Sequence, residues 1–276
     1  MRPAIVTDSN SQLPPGLRDR FGIEVVPIVV VVDGVEYREG VDLDADGFYE
    51  FFDGTRTPEV STSQPSPGAF VDAYRRCHER GHDQIVSIHV TDAFSGTLNS
   101  ARLAAESSGA EVHLVDTGTA SFGVGCCVWE AALAVQAGAD ASAAADVARA
   151  TAGKLHSITA VGAAALLEAS GRAEFSASGR GVDLFTTDPS GGFEALEPAV
   201  SESEVCDRLA AAMHADGAPI RVALGIADAT AMPYYEGLEA RLVERDDVVE
   251  IVRYRIGPSI GAFTGPGTAG GFWYRV

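Results

Sequence analysis

What this sequence has little of excludes several functional classes at once. Basic residues are scarce: 20 Lys and Arg stand against 39 Asp and Glu, a formal net charge of −19. Such a surface repels phosphate backbones and anionic membranes. No Lys/Arg run offsets it, Arg75-Arg76 being the densest pair, so no nucleic-acid partner is expected. Long hydrophobic runs are missing as well. No stretch of ~18 apolar residues escapes charge or Gly/Pro breaks, so no stable membrane insertion is expected. The start, Met1-Arg2-Pro3-Ala4, runs straight into a short apolar strand and Asp8 rather than through a secretory pattern. Cysteine is sparse too. Cys77, Cys126, Cys127 and Cys206 form neither a CxxC pair nor a spaced framework, which reads as reduced thiols and a cytoplasmic location.

What is present is ample apolar material. Hydrophobic residues make up 46% of 276 positions, enough for a sizeable core. At ~150 residues per domain the length favours two domains. In the first half, Ala4–Thr7 reads as a strand leading into the polar turn Asp8-Ser9-Asn10-Ser11. Glu24–Val32 is strongly β-branched, and Asp33-Gly34 marks a hairpin turn into Val35–Arg38. Asp44–Phe52 reads as a helix. Ser61–Pro67 reads as a loop opening a helix with Pro67 in its first turn. Strands at Gln84–Val90 and Glu111–Asp116 then alternate with helices at Gly96–Ser108 and Ser121–Ala137. This alternation predicts a mostly parallel sheet with helices on both faces. The Ala-rich stretch Ala139–Ala152 reads as a helix bridging two domains.

The boundary is placed near Gly153, giving α/β domains at 1–153 and 154–276. The second half reads as mixed α/β. It has strand Ser157–Val161, helix Gly162–Ala169, and a hairpin Val182–Thr187/Phe193–Glu197 turning at Asp188-Pro189-Ser190-Gly191-Gly192. Helix Glu202–Ala215, strand Arg221–Ala227, a helix within Ala231–Leu242 and strand Val248–Tyr254 follow. Ile256–Gly271 reads as a Gly/Pro-rich loop.

Catalytic and metal motifs are weak. Gly257-Pro258-Ser259-Ile260-Gly261 matches GxSxG, but a nucleophile elbow needs a following helix and a later His. Gly and Pro266 argue against that helix, and no His follows His214. Gly265-Pro266-Gly267-Thr268-Ala269-Gly270 matches GxGxxG without room for the helix that a dinucleotide site requires. A loop whose backbone closely approaches something suits both better. His78 and His82 lie one turn apart with no third ligand in view, so no metal is expected. Cys126-Cys127 sits in an apolar helix and reads as core. Asp8, Asp42, Asp44 and Asp46 read as caps and turns.

Hydroxyl-rich loops at strand ends stand out instead. They are Ser61-Thr62-Ser63-Gln64-Pro65-Ser66, Phe94-Ser95-Gly96-Thr97 and Asp116-Thr117-Gly118-Thr119-Ala120-Ser121. Open α/β sheets bind ligands there. Each loop precedes a helix, whose free N–H groups and positive dipole end favour a carboxylate or phosphate without Lys or Arg. Ordinary N-capping accounts for any one loop alone.

These residues resemble the DegV family. Thr7-Asp8-Ser9, Thr62-Ser63-Gln64-Pro65-Ser66-Pro67, Ser95-Gly96-Thr97, Val115-Asp116-Thr117 with Ala120-Ser121-Phe122-Gly123, and Ile256–Ala262 with Thr264-Gly265-Pro266-Gly267 occur in the family's order across nearly the whole chain. The resemblance implies two α/β domains with the ligand between them. It implies non-enzymatic binding of a long-chain fatty acid, with no cofactor, and its presentation to a separate kinase that makes acyl-phosphate. Thr62 and Ser95 match the carboxylate-binding hydroxyls, with Ser63, Gly96 and Thr97 beside them, and Arg172 matches a Gly-Arg element. Phe94, Phe122 and Ile260 are acyl-tunnel candidates.

Two positions depart from the family pattern. Phe263 stands where His is usual. Phe185-Thr186-Thr187 and Glu197-Pro198-Ala199-Val200 stand where a Lys-Pro element and a basic residue are usual, so docking to the kinase is expected to be weak. Two further readings remain open. One is a carrier or sensor of another amphiphile. The other is an enzyme acting on a phosphate- or carboxylate-bearing small molecule, with Asp116 the nearest candidate base for Ser95.

Overall fold

The structure is a computed structural model that describes residues 2–54, 56–171, 179–187 and 193–276. The expected turn at residues 188–192, and Arg172, lie outside the described residues. In chain order, β1 (Ala4–Asp8) runs into a 3-10 turn at Ser9–Ser11, followed by α1 (Pro15–Phe21), β2 (Glu24–Val26), β3 (Val29–Val32) and β4 (Val35–Arg38). Next come α2 (Ala45–Tyr49), β5 (Val60–Ser63), α3 (Pro67–Glu79), β6 (Gln84–His89), α4 (Thr97–Ala105) and β7 (Glu111–Asp116), then α5 (Phe122–Gln136) and α6 (Ala141–Ala152). The remainder is β8 (His156–Val161), α7 (Ala164–Ala169), β9 (Val182–Thr187), β10 (Phe193–Ala199), α8 (Glu202–Ala212) and β11 (Ile220–Ile226). It ends with α9 (Met232–Leu242), β12 (Val248–Arg255), α10 (Pro258–Thr264) and β13 (Ala269–Arg275).

The chain forms two compact units. The first comprises Met1–Asp42 and Val60–Gly153, the second Leu43–Glu59 and Lys154–Val276. One cut falls after Gly153. The expected range 1–153 must give up residues 43–59, however, because their packing lies with the second unit. There Tyr49 Oη donates to Ile256 O at 3.0 Å, and Arg255 pairs with Asp46 at 2.7 Å. Asp44 caps α2 by accepting from Gly47 N, and the helix stops at Tyr49 rather than reaching Phe52.

The first unit is built on a parallel sheet ordered β2-β1-β6-β7. Side chains alternate across a strand. Ala4, Val6 and Ile85 therefore share a face and pack with Phe70, Ala73, Tyr74 and Cys77 of α3 and Ala101 and Ala104 of α4. Ser87 and His89 of β6 follow the same alternation. α5 and α6 pack together, and α6 lies on β6 and β7. It is thus a layer of this unit rather than the bridge between domains that its composition suggested. Its Ala144, Ala145 and Ala148 are fully buried, and small side chains permit that close packing.

Glu24–Val32 is not one strand. Pro27, without an N–H, cannot continue a ladder. β2 joins β1 in parallel while β3 pairs antiparallel with β4 and β5 in a separate sheet. Asp33 and Gly34 both take positive φ, as a two-residue hairpin turn requires. The segment read as a loop from Ser61 contains strand β5, with Thr62 opposite Val30 and Ser63 opposite Val29. Helix α1 was not legible among Pro14, Pro15 and Gly16, although Pro is tolerated in a first turn.

The second unit is a mixed sheet ordered β10-β9-β8-β13-β11-β12. Helices α8 and α9 bury Val205, Leu209, Leu238 and Leu242 against Ile158, Val222, Leu224 and Trp273. The stretch Ile256–Gly271, read as loop, contains α10 and the first three residues of β13. Gly257 precedes Pro258 in the first helical turn, and Pro266 falls beyond the helix end, where it interrupts nothing.

Candidate functional site

Parallel strands end on a common edge, so the carboxyl ends of β1, β6 and β7 bring together the Ser9–Ser11 turn, the Val90–Gly96 loop and the Thr117–Ser121 loop. The β6 loop is tied to the β7 loop by Thr91 N donating to Thr119 O at 3.0 Å. Thr117 Oγ1 donates to His89 O at 2.8 Å. The end of β5 joins them. A methyl group on Gly96 would lie 2.3 Å from Gln64 Oε1, so the Gln64 amide rests on the Gly96 backbone. Gln64 is exposed, so a side chain at position 96 would push its amide end aside.

Ser95 is half-buried. Its hydroxyl pairs with Thr97 Oγ1 at 2.8 Å and accepts from Thr97 N at 3.3 Å. Gly96 is the N-cap of α4 and offers no side-chain cap; Thr97 N goes to Ser95 Oγ, and the N–H groups after it in the first turn have no capping side chain. Thr62 is half-buried and Ser63 exposed, both on β5. The structure thus brings the Thr62–Gln64 and Ser95–Thr97 segments together. Phe94 is half-buried beside Ser95, and Phe122 is fully buried at the first position of α5. In the second unit, Ile260 and Phe263 lie on α10, and Phe263 packs against Val161, Ala164, Leu167 and Phe185.

Asp116 does not serve Ser95. Its two oxygens accept from Gly118 N at 2.9 Å and Asp92 N at 3.4 Å, holding the loops. Ser9 is turned inward. Its hydroxyl donates to the Glu39 carboxylate and accepts from Ile28 N at 2.9 Å.

The polar arrangement that sequence reading missed is a buried chain. Tyr74 Oη meets Ser87 Oγ at 2.9 Å, Ser87 Oγ meets His89 Nε2 at 2.7 Å, and His89 Nδ1 meets Asp8 Oδ2 at 2.8 Å. This is Ser-His-Asp connectivity, but Ser87, His89 and Asp8 are all 0% exposed, so no substrate reaches the hydroxyl. Burial, first of all, pushes the Tyr74 hydroxyl up to about 12; the Ser87 bond opposes the shift and the nearby Cys77 thiol adds to it. Phe70 stacks edge-on to the His89 ring at 5.0 Å. The one available signal was Ser87 and His89 at alternate positions of an otherwise apolar strand.

The two motif matches resolve differently from each other. A helix does follow Gly257, contrary to the reading of that stretch as loop. Ser259 lies inside it and is 2% exposed, without the positive φ that marks strained turns in this chain. The Gly265–Gly270 stretch is a close approach: a methyl group on Gly162 would lie 1.9 Å from Pro266 O. His82 Nδ1 lies 2.9 Å from Arg2 O and His78 lies 3.4 Å from Asp83. Among the described residues no cluster of His, Cys, Asp or Glu could hold a metal, and no helix is long and apolar enough to cross a membrane.

Comparison with known proteins covers the whole chain. A family model described as "Uncharacterised protein, DegV family" matches residues 2–276. A DegV domain-containing protein of Deinococcus radiodurans is 42% identical over 140 residues, covering 50% of this chain and 48% of that protein. One from Streptomyces coelicolor is 32% identical over 274 residues, covering 97% of this chain and 96% of its own. A solved structure, described as fatty acid binding of a DegV family protein from Thermus thermophilus, superposes with a TM-score of 0.87 at 28% identity, covering 100% of both chains.

Proposed function

The chain belongs to the DegV family, and from that premise we propose that it binds a long-chain fatty acid and catalyses no reaction of its own. The observation that carries the reading is the full-length likeness to the Thermus thermophilus protein, described for fatty acid binding. The site chemistry agrees with it. Hydroxyls and helix N–H groups suit a carboxylate, and neither Ser95 nor Ser87 is set up as an accessible nucleophile.

In this reading Thr62 and Ser95 hold the carboxylate, with Ser63, Gly96 N–H and the Thr97 hydroxyl around it and Arg172 as a further donor. Burying ~15 methylenes contributes on the order of 12 kcal/mol gross. A hydrogen bond to a charged group contributes ~1.5–3 kcal/mol. The chain thus supplies affinity and the hydroxyls set polarity, leaving the carboxylate accessible to a kinase that forms acyl-phosphate. Glu197, where a basic residue is usual, makes that docking weak.

The test has two arms. Organic extraction of the purified protein followed by mass spectrometry should return a long-chain fatty acid. An extract free of lipid, together with no uptake of added oleate, would refute the proposal. Thr62→Val with Ser95→Ala should weaken oleate binding about a hundredfold or more with the fold intact, since two bonds of ~1.5 kcal/mol or more are lost. Val keeps the β-branched shape that β5 favours. Unchanged affinity in this double variant would remove the two hydroxyls from the site.

A further inference from the structure

We propose that Asp8 is the positioning residue of the ligand loops: one buried carboxylate that ties three strand-end loops to each other. Asp8 is the last residue of β1 and 0% exposed. Its Oδ1 accepts from Asn10 N at 3.0 Å. Its Oδ2 accepts from His89 Nδ1 at 2.8 Å and from Val90 N at 3.2 Å. Each bond continues outward. Asn10 Oδ1 accepts from Ser121 N at 2.8 Å, fixing the entry to α5, where Ser121 holds φ 57°. A non-glycine residue in that region persists only where its surroundings impose it. On the other side, His89 O accepts from Thr117 Oγ1, and Thr91 O, one residue beyond Val90, accepts from both Phe94 N and Ser95 N at 3.2 Å.

The first loop, the Ser95 loop and the α5 entry are therefore referenced to one carboxylate. A neutral amide cannot replace it. Asn at position 8 has one acceptor oxygen, and its NH2 must face either Asn10 N–H or the His89/Val90 pair, leaving buried donors without an acceptor. Asp8 does not touch the ligand in this account; it acts through Asn10, Val90 and Ser95. The Tyr74 end of the buried chain is different. Tyr74 bonds Ser87 and lies three hydrogen bonds from Asp8, so its loss leaves all of Asp8's bonds in place.

The experiment compares Asp8→Asn with Tyr74→Phe, a destabilised control, in the full chain. [1-13C]oleate is titrated while its carboxyl resonance is followed, and amide hydrogen exchange is measured without ligand. The proposal rests on the fatty-acid reading for its oleate arm only. Asp8→Asn should lower oleate affinity about tenfold or more and shift or broaden the carboxyl resonance. Tyr74→Phe should stay within about twofold with the resonance unmoved. Exchange at Asn10, Val90, Ser95 and Ser121 should accelerate in Asp8→Asn only. Should Asp8→Asn fail to fold, Asn10→Ala, which cuts the branch to Ser121, should speed exchange at Ser121 and move the resonance. Unchanged exchange at these amides, or equal effects of Asp8→Asn and Tyr74→Phe, overturns the proposal. Absence of oleate binding in the wild type would instead sink the fatty-acid reading, with the exchange arm still deciding the role of Asp8.

Discussion

Replacing Tyr74 by Phe should change the sign of its effect on stability as pH rises. The Tyr74 side chain is fully buried, with its hydroxyl 2.9 Å from Ser87 Oγ and 3.5 Å from Ala101 O. Near pH ~8 the variant loses those bonds at a cost of ~1 kcal/mol. The cost stays at that level because Ser87 Oγ retains His89 Nε2 at 2.7 Å and is not orphaned. At high pH a second effect enters. Desolvation raises the hydroxyl from its ordinary 10.0 to about 12 in the fold.

A folded value above the unfolded one means the native chain holds a proton that the unfolded chain has released. The stability associated with it is complete below pH ~10 and falls between ~10 and ~12, by up to ~1.4 kcal/mol per pH unit. Summed over that window the wild type loses on the order of 2–3 kcal/mol that the Phe variant does not lose. The two stability curves should cross between pH ~10 and ~11, beyond which Tyr74→Phe is the more stable protein. Tyr235, also raised to about 12 chiefly by burial, is common to both proteins and cancels in the difference. The assay is urea unfolding at half-unit steps from pH ~8 to ~11.5, followed by Trp129 emission in a Trp273→Phe background so that the first unit is read. Two parallel curves with a constant offset would show that Tyr74 ionises as it does in water and would refute the reasoning.

Two further outcomes follow from the second unit and the site. Gly162→Ala should cost at least ~3 kcal/mol, since its methyl would run into the backbone of Pro266-Gly267, at 1.9 Å from Pro266 O and 2.6 Å from Gly267 C. The loss should appear in Trp273 emission on heating, and a melting midpoint within ~2 °C of wild type would mean the loop yields freely. Phe263→His should alter oleate affinity by less than about tenfold at neutral pH if Arg172 and the N–H groups at α4 already supply the donors that a ring N–H would add. Isothermal titration across pH checks it, and a larger gain would favour a ligand other than a fatty acid.

Much of this architecture follows from short-range chemistry and was legible in order along the chain. The βα alternation of the first half, the Asp33-Gly34 turn and the β9/β10 hairpin each depend on residues within a few positions of one another, and local propensity acts at that range. So does the placing of Ser95 just before a helix. What tertiary structure alone decided are partnerships across long separations. Val60–Ser63 is an unremarkable polar stretch until β3 offers it a ladder, which moves Thr62 from a loop onto a strand. Residues 43–59 join the second unit because Tyr49 finds Ile256 O, 207 positions away. Asp8 read as a turn cap, and it does accept from Asn10 N; its bond to His89, 81 positions away, exists only because β1 and β6 lie side by side. Propensity carries no information about which buried carboxylate meets which imidazole. The cost of leaving either one unpaired inside the fold does, and that cost arises only once the sheet has formed.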